Sequence, residues 1–487
     1  MRPAGHRAAL TAFLSTILLG LLLTAPGMAA AAKPSFTATG IQSEFDWNAR
    51  DYVLRSCEGG ARQVSVTGAK GWKSSVDGAE AKGGSYAAPF TKQADEGLTV
   101  KFTKKGKKQQ KRASFHLRCL PADFPLYAFD RVGNRTGGPD MFSMQMGGDY
   151  GAIIDSNGTP VYWLEADGHP DNFTVLQDGT LTWSPVDQIL LQVGPLEVRT
   201  LQNELIHRFT GSPGTTADVH EMLLLPNGNY LFGAQNIFQA DTTAFGGSAD
   251  SDVIGIEVQE WTPQEKEVWS WSSEDKIDLE ETGRWWDSPI LDTEPYDATH
   301  WNAVEPDGKN FMLISMRHTD ALYKIDKRSG EIVWKLGGTP TDDSLKVLDD
   351  PKADYPFGGQ HDVRLDGDDL TVFDNQTNME DPQPRALRYK IDEKKGTATL
   401  VEEIKDKGAQ FSACCGSARR FDDGSWLVGF GGNPDAGIAA FNAQGKRIYR
   451  FTLNAGFSYR AQPVPEGSVS KKDLRGAMNQ MAAAPSP

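Results

Sequence analysis

Three histidines share one recurring position in this chain, and an imidazole there could serve as nucleophile and proton shuttle. Five segments follow the same plan of strand, turn and strand: "NFTVLQDGTLTWS", "VHEMLLLPNGNYLFGA", "HWNAVEPDGKNFMLIS", "HDVRLDGDDLTVFDN" and "SARRFDDGSWLVGFG". Aligned on a turn residue (Asp178, Asn227, Asp307, Asp368, Asp423), the position seven residues upstream reads Asp171, His220, His300, His361, Gly416. The chain has only eight histidines, so three in one column of five is far from chance. Arg317, in "LISMRHTDAL", lies on the return strand of the His300 hairpin, and Asn302 shares the face of His300. A guanidinium offers planar donors to an oxyanion such as sulfate, phosphate or carboxylate. A neutral imidazole is available near neutral pH as nucleophile or base. Together these residues describe a pocket for an anionic tetrahedral group, and the chemistry expected there is nucleophilic transfer by a neutral imidazole.

Three neutral imidazoles would also suit zinc or iron. No His-x-His or His-x₃-His spacing is present, and Arg317 would repel a cation, so no metal is expected. His116, His169 and His207 fall outside the column and are expected as satisfied core or rim residues. His318 and Asp362 each follow a site residue directly, so in extended chain both should point to the opposite face.

The elements that position this column are small antiparallel hairpins repeated along the chain, the mark of a β-propeller. The innermost strand of each blade lines a central channel, so residues of equal phase converge on one mouth. Five blades are explicit. A sixth is assembled from residues 125–165 with the terminal "FSYRAQPV", one chain end closing the ring on the other. The long interval between Asn227 and Asp307 implies an insertion around 235–298. The fold class is therefore all-β: a six-bladed β-propeller over 123–466, preceded by a small N-terminal β-sandwich over 33–122 and followed by a disordered tail, 467–487. The basic run "KKGKKQQKR" at 104–112 is expected as a solvated hairpin tip.

Residues 1–32 combine Arg2 and Arg7, an apolar run and a small-residue end, which predicts a cleaved signal peptide and a secreted or extracytoplasmic protein. Its loss takes the net charge from −15 to −17, a poor match for nucleic acid. No further membrane segment is predicted. Four cysteines in an exported chain favour disulfides. Cys57 and Cys119, the only two in the N-terminal region, are expected to pair. The adjacent Cys414 and Cys415 are either a vicinal disulfide or reduced thiols.

The motifs "ADVHEMLLLPNGNYL", "THWNAVEPDG", "ISMRHTDALYKIDKRSGEIVWKLGG" and "GGQHDVRLDGDDLTVFDNQ", with "SARRFDDGSWLVGFGG" and "SYRAQPV", resemble in order the bacterial arylsulfate sulfotransferases, six-bladed propeller enzymes. The resemblance spans roughly residues 125–465. It implies ping-pong transfer of a sulfuryl group from a phenolic sulfate to a phenol or other hydroxyl, without a nucleotide donor or a cofactor. It implies His361 as the covalent nucleophile, His220, His300 and Arg317 as its catalytic partners, and Asn302 as a substrate-binding residue. The partners implied are a small aryl sulfate and a phenolic acceptor, such as a small phenol, a tyrosyl peptide or a secreted natural product. Two alternatives stand beside it. "YKIDKRSGEIVWKLGG" also resembles the outer strands of quinone-dependent propeller dehydrogenases, although Gly-x-x-x-Trp is clear only at Gly330–Trp334. A non-catalytic, ligand-binding propeller is the other.

Overall fold

The computed structural model describes residues 33–484, apart from 56, 58–61, 107–108, 134–136 and 188–191. The expected signal peptide lies outside the described residues. Six sheets, each built on four antiparallel strands, follow one another along the chain, and that of blade five gains a parallel outer strand at Lys346–Leu348. The inner strand of blade two is His169–Val175, of blade three Thr215–Leu224, of blade four Trp301–Asp307, of blade five His361–Asp366 and of blade six Ser417–Arg420. Neighbouring blades touch through these strands, and the sixth meets Ala461–Pro463, the inner strand of blade one. The ring is therefore closed, and the six-bladed propeller is the observed architecture.

Both chain ends fasten the ring. Ala461–Pro463 pairs with Met141–Gln145, as expected from "FSYRAQPV". Tyr127–Arg131 does not join that blade; it adds a fifth strand to the outer edge of blade six, against Arg447–Leu453. Aromatic and aliphatic residues alternating along the strands fill the spaces between blades, for example Leu313, Leu322, Val372 and Leu387 between blades four and five. The expected insertion takes two forms. The second and third strands of blade three are lengthened to Tyr230–Ala240 and Ser251–Trp261, and 3₁₀ turns at Leu279–Asp287 and Pro289–Leu291 bridge blade three to blade four.

The N-terminal residues form a three-stranded sheet (Ser35–Ala38, Arg62–Thr67, Tyr86–Phe90) and a five-stranded one in which Asp51–Leu54 runs parallel to Lys111–Cys119. Phe36, Val64, Phe102 and Phe115 join the two sheets in one apolar cluster. Cys57 is bonded to Cys119, as expected. The strands Gly97–Lys104 and Lys111–Cys119 pair antiparallel, with Lys104 and Lys111 opposite each other at the open end, and residues 107–108 of the basic run lie outside the described residues.

The C-terminal tail departs from expectation. Lys471–Ala483 is an α-helix, started by a reciprocal capping box between Ser470 and Asp473. Leu474, Ala477 and Met478 face the core of blade one. Arg475 pairs with Asp51 at 2.7 Å, and Arg118 donates to Asn479 at 2.6 Å. The helix thereby clasps the N-terminal sheets to the propeller, and these contacts offset the entropy that disorder would have kept.

Blade five carries a buried ion network that shapes the loops around His361. Arg385, 1% exposed, reaches Asp374 at 2.9 Å and Asp350 at 2.9 Å, and donates to the Pro356 carbonyl at 2.7 Å. Asp374 in turn accepts the Gly358 N–H at 2.9 Å. Arg385→Ala strands two buried carboxylates and is expected to lower unfolding free energy by about 3–5 kcal/mol, measured by urea denaturation.

Candidate active site

A local break in the inner strand lies at or beside each histidine of the column. The pairing register shifts within the inner strands of blades two to five, between Asp171 and Thr174, Ala217 and Met222, Trp301 and Ala303, and His361 and Arg364. Bulges of this kind re-aim side chains next to functional sites. His300 (φ 48°) and Asp362 (φ 60°) adopt left-handed backbone there, uncommon for residues with a side chain.

The rings of His220 and His300 lie 4.9 Å apart. Each has a carboxylate behind it. Asp218 Oδ1 accepts from His220 Nδ1 at 2.5 Å, and Gln235 holds the other Asp218 oxygen at 2.8 Å. Asp297 accepts from His300 Nδ1. Burial pushes the Asp297 carboxyl up, yet the neighbouring imidazoles, His300 first, hold it below the usual carboxylate range. In both dyads Nδ1 is the donor and Nε2 is left for other work.

His361 is 1% exposed. Its Nδ1 lies 2.8 Å from Asn375 Oδ1 and 3.0 Å from the Gly359 carbonyl, both acceptors, so Nδ1 carries the proton. Nε2 keeps its lone pair and accepts the Cys415 N–H at 3.1 Å. Burial, then the charges of Arg317 and Arg460, push the His361 imidazole well below its ordinary value, which keeps it neutral. Gly359 is required beside it. Its φ of 71° is left-handed, and a Cβ there would press on Trp285 and Thr377 at 3.3 Å.

Arg317 is buried and fixed on three sides. Nη2 donates to the Ala413 carbonyl at 3.0 Å, Nη1 meets His318 Nε2 at 2.7 Å, and the guanidinium lies 4.5 Å from the Trp285 ring centre. Its Nε has no hydrogen-bond partner among the described residues. Burial lowers its pKa to about 10, still fully charged at neutral pH. The Asn302 amide donates to the Gln360 carbonyl at 2.7 Å, directly before the nucleophile, and its Oδ1 is left unpaired.

His318 corrects the sequence-based expectation. Arg317–Thr319 is a 3₁₀ turn ending in left-handed Asp320, not extended chain, so His318 turns into the cluster, 4.6 Å from the His300 ring. Ligand atoms of Asp297, His300 and His318 lie within 4.8 Å of one another, a spacing that could suit a cation. His318 has no lone pair to offer, because Nδ1 donates to the Asp297 carbonyl at 2.6 Å and Nε2 accepts from Arg317. The three do not fit a metal centre.

Asp362 does face away, accepting from the Ala418 N–H at 3.0 Å and from Arg419 at 2.7 Å. His207 packs on Phe209 and Tyr230, and half-buried His116 sits in the N-terminal sheets. His169 joins Asp171 at 2.9 Å on the rim. Cys414 and Cys415 are bonded to each other. Tyr459 and Arg460 were not singled out by type or spacing. The Tyr459 ring lies 5.8 Å from that of His220, and Arg460 donates to the Asn302 carbonyl at 2.6 Å while pairing with Glu221 at 3.3 Å.

Among solved structures, virginiamycin B lyase from Staphylococcus aureus is 11% identical, over 66% of this chain and 88% of that one, with a TM-score of 0.35. Kuenenia stuttgartiensis hydrazine synthase is 11% identical over 65% and 79%, at 0.35. A quinonprotein alcohol dehydrogenase-like protein from Bacteroides thetaiotaomicron is 12% identical over 85% and 95%, at 0.27. These likenesses are too low to carry an argument about function. No curated protein matches the chain. The family model described as Arylsulfotransferase (ASST) matches residues 131–461. That stretch contains His220, His300, Asn302, Arg317 and His361 within the propeller they share, and the chain belongs to the arylsulfotransferase family.

Proposed function

We propose that the protein moves a sulfuryl group from an aryl sulfate to a phenolic or other hydroxyl acceptor by a ping-pong route through sulfohistidine at His361. The observation that carries this reading is the buried His361, its Nδ1 proton held by Asn375 and the Gly359 carbonyl, so that among the described residues the Nε2 lone pair meets only the Cys415 N–H. Nε2 attacks sulfur, the S–O bond to the aryl group breaks, and the leaving phenolate takes a proton from His220 or His300. The phenol departs. An acceptor hydroxyl then gives its proton to that imidazole, its oxygen attacks sulfur, and the N–S bond breaks to restore His361. Such proton transfer contributes typically about 10²–10⁴-fold. Arg317 supplies fixed positive charge for the sulfuryl oxygens, and Asn302 positions the backbone before His361. No step calls on a cofactor or a nucleotide. Export with removal of residues 1–32 is part of the proposal, and N-terminal sequencing of secreted protein tests it.

The experiment is steady-state kinetics with p-nitrophenyl sulfate and a phenol acceptor, without nucleotide. Acceptor-dependent nitrophenol release with parallel double-reciprocal lines is expected. A folded protein that releases nothing across varied acceptors contradicts the reading and favours a non-catalytic propeller. The pH dependence follows from His361. Its imidazole must be neutral, and its pKa lies below 6.5, so kcat/KM is expected to hold through mildly acidic pH. Activity falls only as pH drops through that lowered value. An acid limb centred at or above 6.5 contradicts this.

A further inference from the structure

Residues 412–416 form the wall against which the nucleophile rests. The Cys415 N–H donates to His361 Nε2 at 3.1 Å, while the Cys415 carbonyl accepts from Asn375 Nδ2 at 2.9 Å. Asn375 is the same side chain whose Oδ1 takes the His361 Nδ1–H, so one residue of the wall holds both edges of the imidazole, one directly and one through Asn375. Ser412 Oγ accepts from Asn375 at 2.7 Å and donates to the Gly431 carbonyl at 2.5 Å. The Ala413 carbonyl holds Arg317. Cys415 is left-handed (φ 65°), a conformation that persists only where its surroundings enforce it. The bond to Cys414 closes a small ring over a single peptide and removes the rotations by which Cys415 would relax.

We infer that the Cys414–Cys415 disulfide is a positioning device for sulfuryl transfer, fixing the Cys415 N–H first on His361 Nε2 and then on an oxygen of the group Nε2 carries. A donor aimed at the lone pair of Nε2 is aimed at the place where the transferred charge arrives. When the N–S bond forms, Nε2 no longer accepts, and the sulfuryl oxygens bonded next to it are the acceptors in reach. The N–H leaves the lone pair as sulfur takes it, and a donor already held beside the ring has only a short way to shift to a sulfuryl oxygen. The inference rests on the reading of His361 as nucleophile. It also predicts an effect on titration. An N–H on Nε2 favours the neutral ring, so freeing it raises the His361 pKa. The other groups facing His361 are Arg317 from the turn after the second strand of blade four, Arg460 ahead of Ala461, His220 from blade three and Asn375 from blade five. All four remain when the disulfide is removed.

The test compares wild type with the Cys414→Ser/Cys415→Ser variant, each with and without tris(2-carboxyethyl)phosphine. The phosphine is oxidised to its oxide, taking oxygen from water, and the disulfide becomes two thiols. Loss of the disulfide is expected to lower kcat roughly 10- to 10²-fold, less than full removal of an oxyanion donor because the N–H is loosened and not deleted, with little change in KM. The acid limb of kcat/KM should move to higher pH while the melting temperature stays. Phosphine should reproduce both changes in wild type, which keeps the test open if the variant folds poorly, and should leave the variant unchanged. A response in the variant assigns the effect to Cys57–Cys119 and overturns the inference. So does unaltered kcat, or a loss with a lowered melting temperature and an unmoved pH profile. No turnover in untreated wild type overturns the functional reading itself, and the inference with it.

Discussion

His361→Ala is expected to reduce acceptor-dependent turnover by roughly 10⁴- to 10⁶-fold, the scale on which removal of a covalent nucleophile acts. The argument is local. No other imidazole of the cluster joins an Nε2 lone pair engaged only by a backbone N–H to full burial within the field of Arg317 and Arg460. His220 and His300 back onto carboxylates and are more open, with side chains 12% and 27% exposed, as suits proton transfer to a mobile phenol. His318 spends both nitrogens on Arg317 and the Asp297 carbonyl. Alanine leaves Asn375 Oδ1 and the Cys415 N–H without the imidazole, which costs about 1–3 kcal/mol per stranded buried group. His361→Gln keeps a polar group in place, and the two should be equally inactive. Melting curves separate that loss from unfolding. Activity within tenfold of wild type in either variant would rule out His361 as nucleophile.

Arg317→Ala should lower kcat/KM by roughly 10³-fold, the upper end of the range for loss of a single oxyanion-hole donor. Arg317 has an Nε with no partner among the described residues, while its Nη atoms are held by Ala413 and His318. Its plane also rests on Trp285, which fixes the direction of its fork. Lysine keeps charge but not the fork or the stacking, so Arg317→Lys is expected to recover less than a tenth of the loss. Steady-state kinetics of both variants decides it, and full rescue by lysine would reduce Arg317 to a point charge.

The histidine column was legible because a propeller repeats its geometry, so equal spacing from successive turns means convergence in space. The carboxylates behind it carried a local signal that spacing alone did not flag: Asp218 precedes His220 by two residues and Asp297 precedes His300 by three. His318 was lost because strand alternation assumes extended chain, and the 3₁₀ turn at Arg317–Thr319 breaks it. The bulges that aim the inner strands leave no comparable pattern in residue type. The C-terminal helix was written in the Ser470-x-x-Asp473 capping box and the spacing of Leu474, Ala477 and Met478, although the segment was expected as a disordered tail. Tyr459 and Arg460 stand where the chain returns to close the ring, ahead of an inner strand only three residues long, and no turn-based alignment reaches them.

The central claim is a covalent sulfuryl group on His361, and rapid mixing with p-nitrophenyl sulfate in the absence of acceptor, followed by intact-mass and peptide analysis at alkaline pH, tests it most directly. The account predicts one added sulfuryl group per chain, located on the peptide bearing His361, discharged by phenol and absent from His361→Ala. Turnover at full rate with no adduct, or an adduct on another residue that phenol discharges equally fast, would contradict it.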